Sequence, residues 1–102
     1  TKAMVKHIVM FQFKADVPAE TRNEAARQFK AGIEALPAII PTIRAIKVGL
    51  NINPSEKWDI CLESSFDSLE DVKTYGAHPA HKAVAVELMQ HVAARACTDF
   101  EI

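Results

Sequence analysis

The stretch "TIRAIKVGLNINPSEKWDICLESSF", residues 42–66, lies in the middle of the chain and alternates apolar and polar side chains on both sides of a turn. In its first arm Ile46, Val48, Leu50 and Ile52 recur at every second position. In its second arm Trp58, Ile60, Leu62, Ser64 and Phe66 share one face, and Asp59, Cys61, Glu63 and Ser65 share the other. A period of two sends successive side chains to opposite faces of a strand, and "NINPSEK" supplies Asn and Pro for the turn. The stretch predicts a β-hairpin, and what flanks the hairpin decides the fold.

Upstream, residues 15–37 carry Ala26, Phe29, Ile33 and Leu36 at helical spacing, with Asp16 and Pro18 as start signals and Pro37 as a stop. Before that helix, residues 4–14 alternate again. Val5, His7, Val9, Phe11 and Phe13 lie on one face, with Met4, Lys6, Ile8, Met10 and Gln12 on the other. The second face is also largely apolar, so both faces of this strand need covering.

Downstream, "DSLEDVKTYG" starts a helix with Ser68 as N-cap and Asp71 three residues on, an acidic variant of the capping box. Leu69, Val72 and Tyr75 or Gly76 share its inner face. Pro79 cannot continue that helix but suits the first turn of a new one, predicted over residues 79–95 with Val84, Leu88 and Val92 as its stripe. "ACTDFEI" (96–102) alternates once more and closes the chain as a strand.

The order β-α-β-β-α-β, with the second helix broken in two, is the α+β ferredoxin-like plan, a four-stranded antiparallel sheet with its helices on one face. A length of 102 residues gives one domain, 1–102. The open sheet face, carrying Ile8 and Met10, is an apolar patch that a two-fold, sheet-to-sheet homodimer would cover.

Composition narrows the function. With 49% hydrophobic and 25% charged residues the chain can bury a core, and 12 basic against 13 acidic residues leave no basic run to track a phosphate backbone. Nucleic acid is not an expected partner. The longest nearly uncharged stretch, "ALPAIIPTI" (35–43), falls short of the ~20 residues a membrane span needs. A cytoplasmic location follows by default, and Cys61 and Cys97 are expected to be reduced thiols.

"VKHIVMFQFK", "YGAHPAHKAV" and "CTDFEI" together resemble the stress-responsive dimeric α/β barrel (Dabb) family, over essentially the whole chain. The resemblance implies a ferredoxin-like subunit that pairs sheet to sheet with a second copy to form a barrel. A plant branch of the family contains a polyketide cyclase that closes a linear tetraketide by aldol condensation, and the chain resembles it at His7, Tyr75, His78 and His81. Where that cyclase carries a third-strand histidine, this chain has Ile60. Haem-degrading monooxygenases are related barrels, but no feature here is specific for haem, and no cofactor is expected.

If the helices cover the His7 face, then His7, Tyr75 and His81 converge on one cleft. A neutral imidazole can take a proton from a carbon flanked by carbonyls, and a phenol can donate to the enolate. His81 is the candidate base, Tyr75 the donor and His7 the orienting partner. Val9, Phe11, Ile60, Leu88 and His78 complete the candidate ligand-binding set. His78 and His81 are spaced to share a metal, yet two ligands are fewer than such sites use, and no metal is expected. Three readings stand: binding of a small apolar or aromatic carbonyl compound, a cofactor-independent cyclase or lyase, or a structural dimer with a filled cleft.

Overall fold

A computed structural model describes residues 4–102. Strand β1 (Val5–Phe13) is followed by α1 (Ala19–Glu34), a 3-10 turn at Leu36–Ala38, β2 (Ala45–Leu50), β3 (Ile60–Phe66), α2 (Leu69–Ala77), α3 (Pro79–Met89) and β4 (Val92–Glu101). The strands form one antiparallel sheet in the order β2-β3-β1-β4, the α+β ferredoxin-like arrangement.

The two central strands set the parity of the sheet. Val5, His7, Val9, Phe11 and Phe13 are all buried, and their partners Leu62, Ser64 and Phe66 on β3 are buried with them. Against this face α1 lays Ala26, Phe29 and Ile33, the 3-10 turn lays Leu36, and α2 lays Val72 and Tyr75. Burial of a large apolar side chain contributes roughly 1.5–3 kcal/mol, so this layer dominates stability. Helices α1 and α3 touch at Gly32, where a Cβ would stand 2.9 Å from Val84 Cγ1.

The other face carries Lys6, Ile8, Met10 and Gln12 from β1, opposite Ala96, Thr98 and Phe100 on β4. No element among the described residues covers it, and Phe100 is exposed. The two cysteines are free and lie on opposite faces: Cys61 pairs with Met10, and Cys97 pairs with Val9. They cannot bridge, because a disulfide needs Cβ vectors that converge.

Ser68 takes the N-cap of α2, its Oγ accepting from Asp71 N at 3.1 Å. His78 then both ends α2 and caps α3: its Nδ1 accepts from Ala80 N at 3.0 Å, and its extended backbone is the conformation favoured before a proline. Helix α1 opens instead at Pro18, without a side-chain cap from Asp16.

Three local expectations give way to tertiary structure. Helix α3 stops at Met89, and residues 92–95 belong to β4, whose Val92 pairs with Phe13. The alanines there favour a helix locally, but the nine-residue β1 offers an unpaired edge, and ladder pairing outweighs propensity. Leu69 is exposed although it was expected on the inner face of α2. Ile52 lies beyond the end of β2 in the connecting loop and is 96% exposed.

Candidate functional site

His7 stands at the middle of the buried face of β1, directly opposite Asp99 of β4. Its Nδ1 lies 2.5 Å from Asp99 Oδ1. A carboxylate can only accept, so Nδ1 carries a proton and donates it to Asp99. The backbone carbonyl of His7 accepts from Ser64 Oγ at 3.3 Å, which ties this residue to β3 as well.

Helix α2 brings Tyr75 down onto the sheet. Its ring packs against Phe66 at 5.2 Å, His7 at 6.2 Å and His81 at 4.5 Å between centroids. Tyr75 is 1% exposed. Burial pushes its phenol well above the ordinary tyrosine pKa, so the group stays protonated and acts as a donor.

The break at His78–Pro79 turns α3 so that His81 faces back toward the end of α2. His81 Nδ1 donates to Gly76 O at 3.2 Å, which leaves Nε2 as the basic nitrogen. Burial holds the His81 pKa below its usual 6.5, the hydrogen bond to Gly76 opposes this, and the nearby charges of His7, Arg95 and His78 add to the lowering. His81 is therefore a neutral base at neutral pH.

These three side chains border one cavity of about 390 Å3, within the size range of small-molecule sites. Val9, Phe11, Phe29, Leu62, Val72, Ala85 and Met89 give it apolar walls, and Arg95, Cys97 and Asp99 line its β4 side. Two buried side-chain polar atoms lack a hydrogen-bond partner among the described residues, Thr42 Oγ1 and Tyr75 Oη, and Tyr75 is the one that borders this cavity. Buried hydroxyls are ordinarily satisfied, so the unmet Tyr75 donor is an exception beside this cavity.

Of the residues singled out in the sequence, His7, Tyr75, His81, Val9 and Phe11 meet at this cavity. Ile60 and Leu88 are buried outside its wall, and His78 is occupied with capping α3. The donors able to gather around an ion are His7, Cys97 and Asp99 rather than His78 and His81. Asp99, Cys97 and Arg95 were not legible as site residues. Their parity within "RACTDFE" was available, but their facing His7 depends on the β1–β4 register, which no local pattern encodes.

Taken together, these features define a ferredoxin-like domain with a largely apolar cavity, bordered by two histidines and a tyrosine, under its helices. The chain belongs to the stress-responsive A/B barrel domain family, whose model matches residues 5–102. It is 52% identical to a dimeric protein of unknown function and ferredoxin-like fold from Bacteroides fragilis, with a TM-score of 0.95 over 97% of this chain and 96% of that one. It is 30% identical over 80 residues to the olivetolic acid cyclase of Cannabis sativa, covering 76% of this chain and 75% of the cyclase. The hydroxynitrile lyase of Passiflora edulis, at 19% identity, shares the fold with a TM-score of 0.75 over 100% of this chain and 95% of the lyase. No described helix is long and apolar enough to cross a membrane.

Proposed function

We propose that this domain pairs with a second copy through the open face of its sheet and that each copy binds a small apolar or aromatic, carbonyl-bearing molecule in the cavity beneath α2 and α3. The observation that carries the ligand class is the buried, unpartnered hydroxyl of Tyr75, a residue that borders an otherwise largely apolar cavity. A carbonyl oxygen supplies the missing acceptor, and the apolar walls take the rest of the molecule. The pairing is supported by the half-buried Ile8 and Met10 and the exposed Phe100 on the open face, and by the dimeric description of the Bacteroides fragilis relative.

Isothermal titration with aromatic acids and short β-diketones tests the ligand class. Binding that weakens several-fold in Tyr75→Phe is the expected result, and no binding up to millimolar concentration would remove the reading. Light scattering at micromolar concentration tests the dimer, and a monomeric mass would contradict it.

A second reading, cofactor-independent cyclase or lyase chemistry, is favoured by the neutral His81 with its Nδ1 anchored on Gly76. In that reaction His81 Nε2 removes a proton from the carbon next to the carbonyl, Tyr75 donates to the enolate oxygen, and the His7–Asp99 pair orients the bound molecule. The olivetolic acid cyclase relationship agrees with it. Exchange of the α-proton of a bound diketone for deuterium, lost in His81→Gln while binding persists, separates this reading from binding alone.

A further inference from the structure

His7 Nδ1, Cys97 Sγ and an Asp99 carboxylate oxygen all lie within 4.8 Å of one another, on two paired strands. Cys97 Sγ is 3.7 Å from His7 Nδ1 and 4.0 Å from Asp99 Oδ2. With metal–ligand bonds of about 2.0–2.3 Å, a tetrahedral zinc site places such donors about 3.3–3.5 Å apart. The two sulfur distances are already close to this, and the His7–Asp99 contact of 2.5 Å must open by roughly 1 Å.

The backbone supplies this convergence. Cys97 and Asp99 are two apart on β4 and so point to the same face, and the register sets Asp99 opposite His7 and Cys97 opposite Val9. The carboxylate already partners the imidazole, and nothing in the packing of the core calls for a thiol beside that pair at the edge of an apolar cavity.

We propose that His7, Cys97 and Asp99 form a three-ligand site for a late first-row divalent cation, zinc above all, whose open fourth position faces the cavity. Imidazole and thiolate together suit zinc rather than magnesium or calcium, and three protein ligands with one open position is the pattern of zinc sites that also take a water or substrate oxygen. The charges close: a thiolate and a carboxylate neutralise a divalent ion. On binding, the Cys97 thiol releases its proton to solvent, and the His7 proton moves from Nδ1 to Nε2 as Nδ1 becomes a ligand. No electron transfer is involved. The site goes beyond the binding reading above, because it needs neither a carbonyl ligand nor His81.

The test uses the whole purified chain, stripped with a chelator and titrated with Zn2+ and Co2+. One equivalent of Co2+ per chain, with a thiolate-to-cobalt charge-transfer band in the near ultraviolet, is expected. Cys97→Ser should abolish the band, Asp99→Asn should weaken Zn2+ binding at least tenfold, and Cys61→Ser should change neither. Unchanged binding in Cys97→Ser, or a band that follows Cys61, would overturn the proposal. Because a variant can lose binding through misfolding, alkylation of the wild-type chain gives an independent readout: Zn2+ should protect Cys97 from iodoacetamide, located by peptide mass mapping, and equal labelling with and without zinc would also overturn it.

Discussion

Removing one oxygen atom, in Tyr75→Phe, should separate what the fold needs from what the site needs. The ring contacts with Phe66, His7 and His81 survive the change, and the hydroxyl that is lost has no partner among the described residues. A buried polar group left unsatisfied costs roughly 1–3 kcal/mol, so the ligand-free variant should be more stable than the wild type. For a domain of about 100 residues each 1 kcal/mol moves Tm by roughly 4–8 °C, so thermal unfolding at matched protein concentration should shift upward by about 4 °C or more. With a saturating carbonyl ligand the order should narrow or invert, because only the wild type gains the hydrogen bond. That bond contributes about 0.5–1.5 kcal/mol net, or roughly a two- to twelvefold difference in affinity. Differential scanning fluorimetry reads the first effect and calorimetric titration the second. A clear fall in Tm of the ligand-free variant would refute the reasoning, since it would mean that the hydroxyl is already satisfied within the fold.

Further outcomes follow from neighbouring features. His81 has a lowered folded pKa, so the unfolded chain takes up its proton first as pH falls. Its contribution to stability is complete above about pH 6.5 and is lost below it, and His81→Gln should flatten that part of the urea midpoint-versus-pH curve. His78→Ala removes the cap of α3 and should cost about 0.5–2 kcal/mol by chemical denaturation while leaving ligand affinity unchanged. The two helical glycines should respond with opposite sign. Gly76→Ala meets no atom within 4 Å and should stabilise by about 0.5–1 kcal/mol. Gly32→Ala drives a Cβ to 2.9 Å from Val84 and should destabilise in the wild type but stabilise once Val84→Ala has made room, a coupling that a double-mutant cycle measures directly.

The architecture was readable because it rests on period. Two-residue alternation marked β1 and the hairpin, helical spacing marked Ala26, Phe29, Ile33 and Leu36, and Pro79 marked the break between α2 and α3. His7, Tyr75 and His81 were singled out by the family resemblance together with the faces of their elements, and all three border one cavity. What escaped depends on partners distant in sequence. Residues 92–95 form a strand only because β1 is long enough to pair with them, and Asp99 joins the site only because the β1–β4 register sets it against His7 across 92 positions of chain. Ile60 was singled out because it stands where the resembled cyclase has a histidine and Leu88 for its place on the helix stripe, and neither ground separates a cavity wall from the core around it.

The parity of β1 has a consequence for how this domain can vary. One residue interval separates His7, under the helices, from Ile8, on the open face, so a single strand serves two surfaces that never meet. Side chains on the two surfaces meet different neighbours, so the cavity face and the open face can vary separately. A one-residue insertion or deletion within β1 does the reverse. It would exchange the two surfaces in a single step, sending the imidazole outward and a methionine or isoleucine into the cavity. The strand can therefore tolerate many changes in composition but almost none in length.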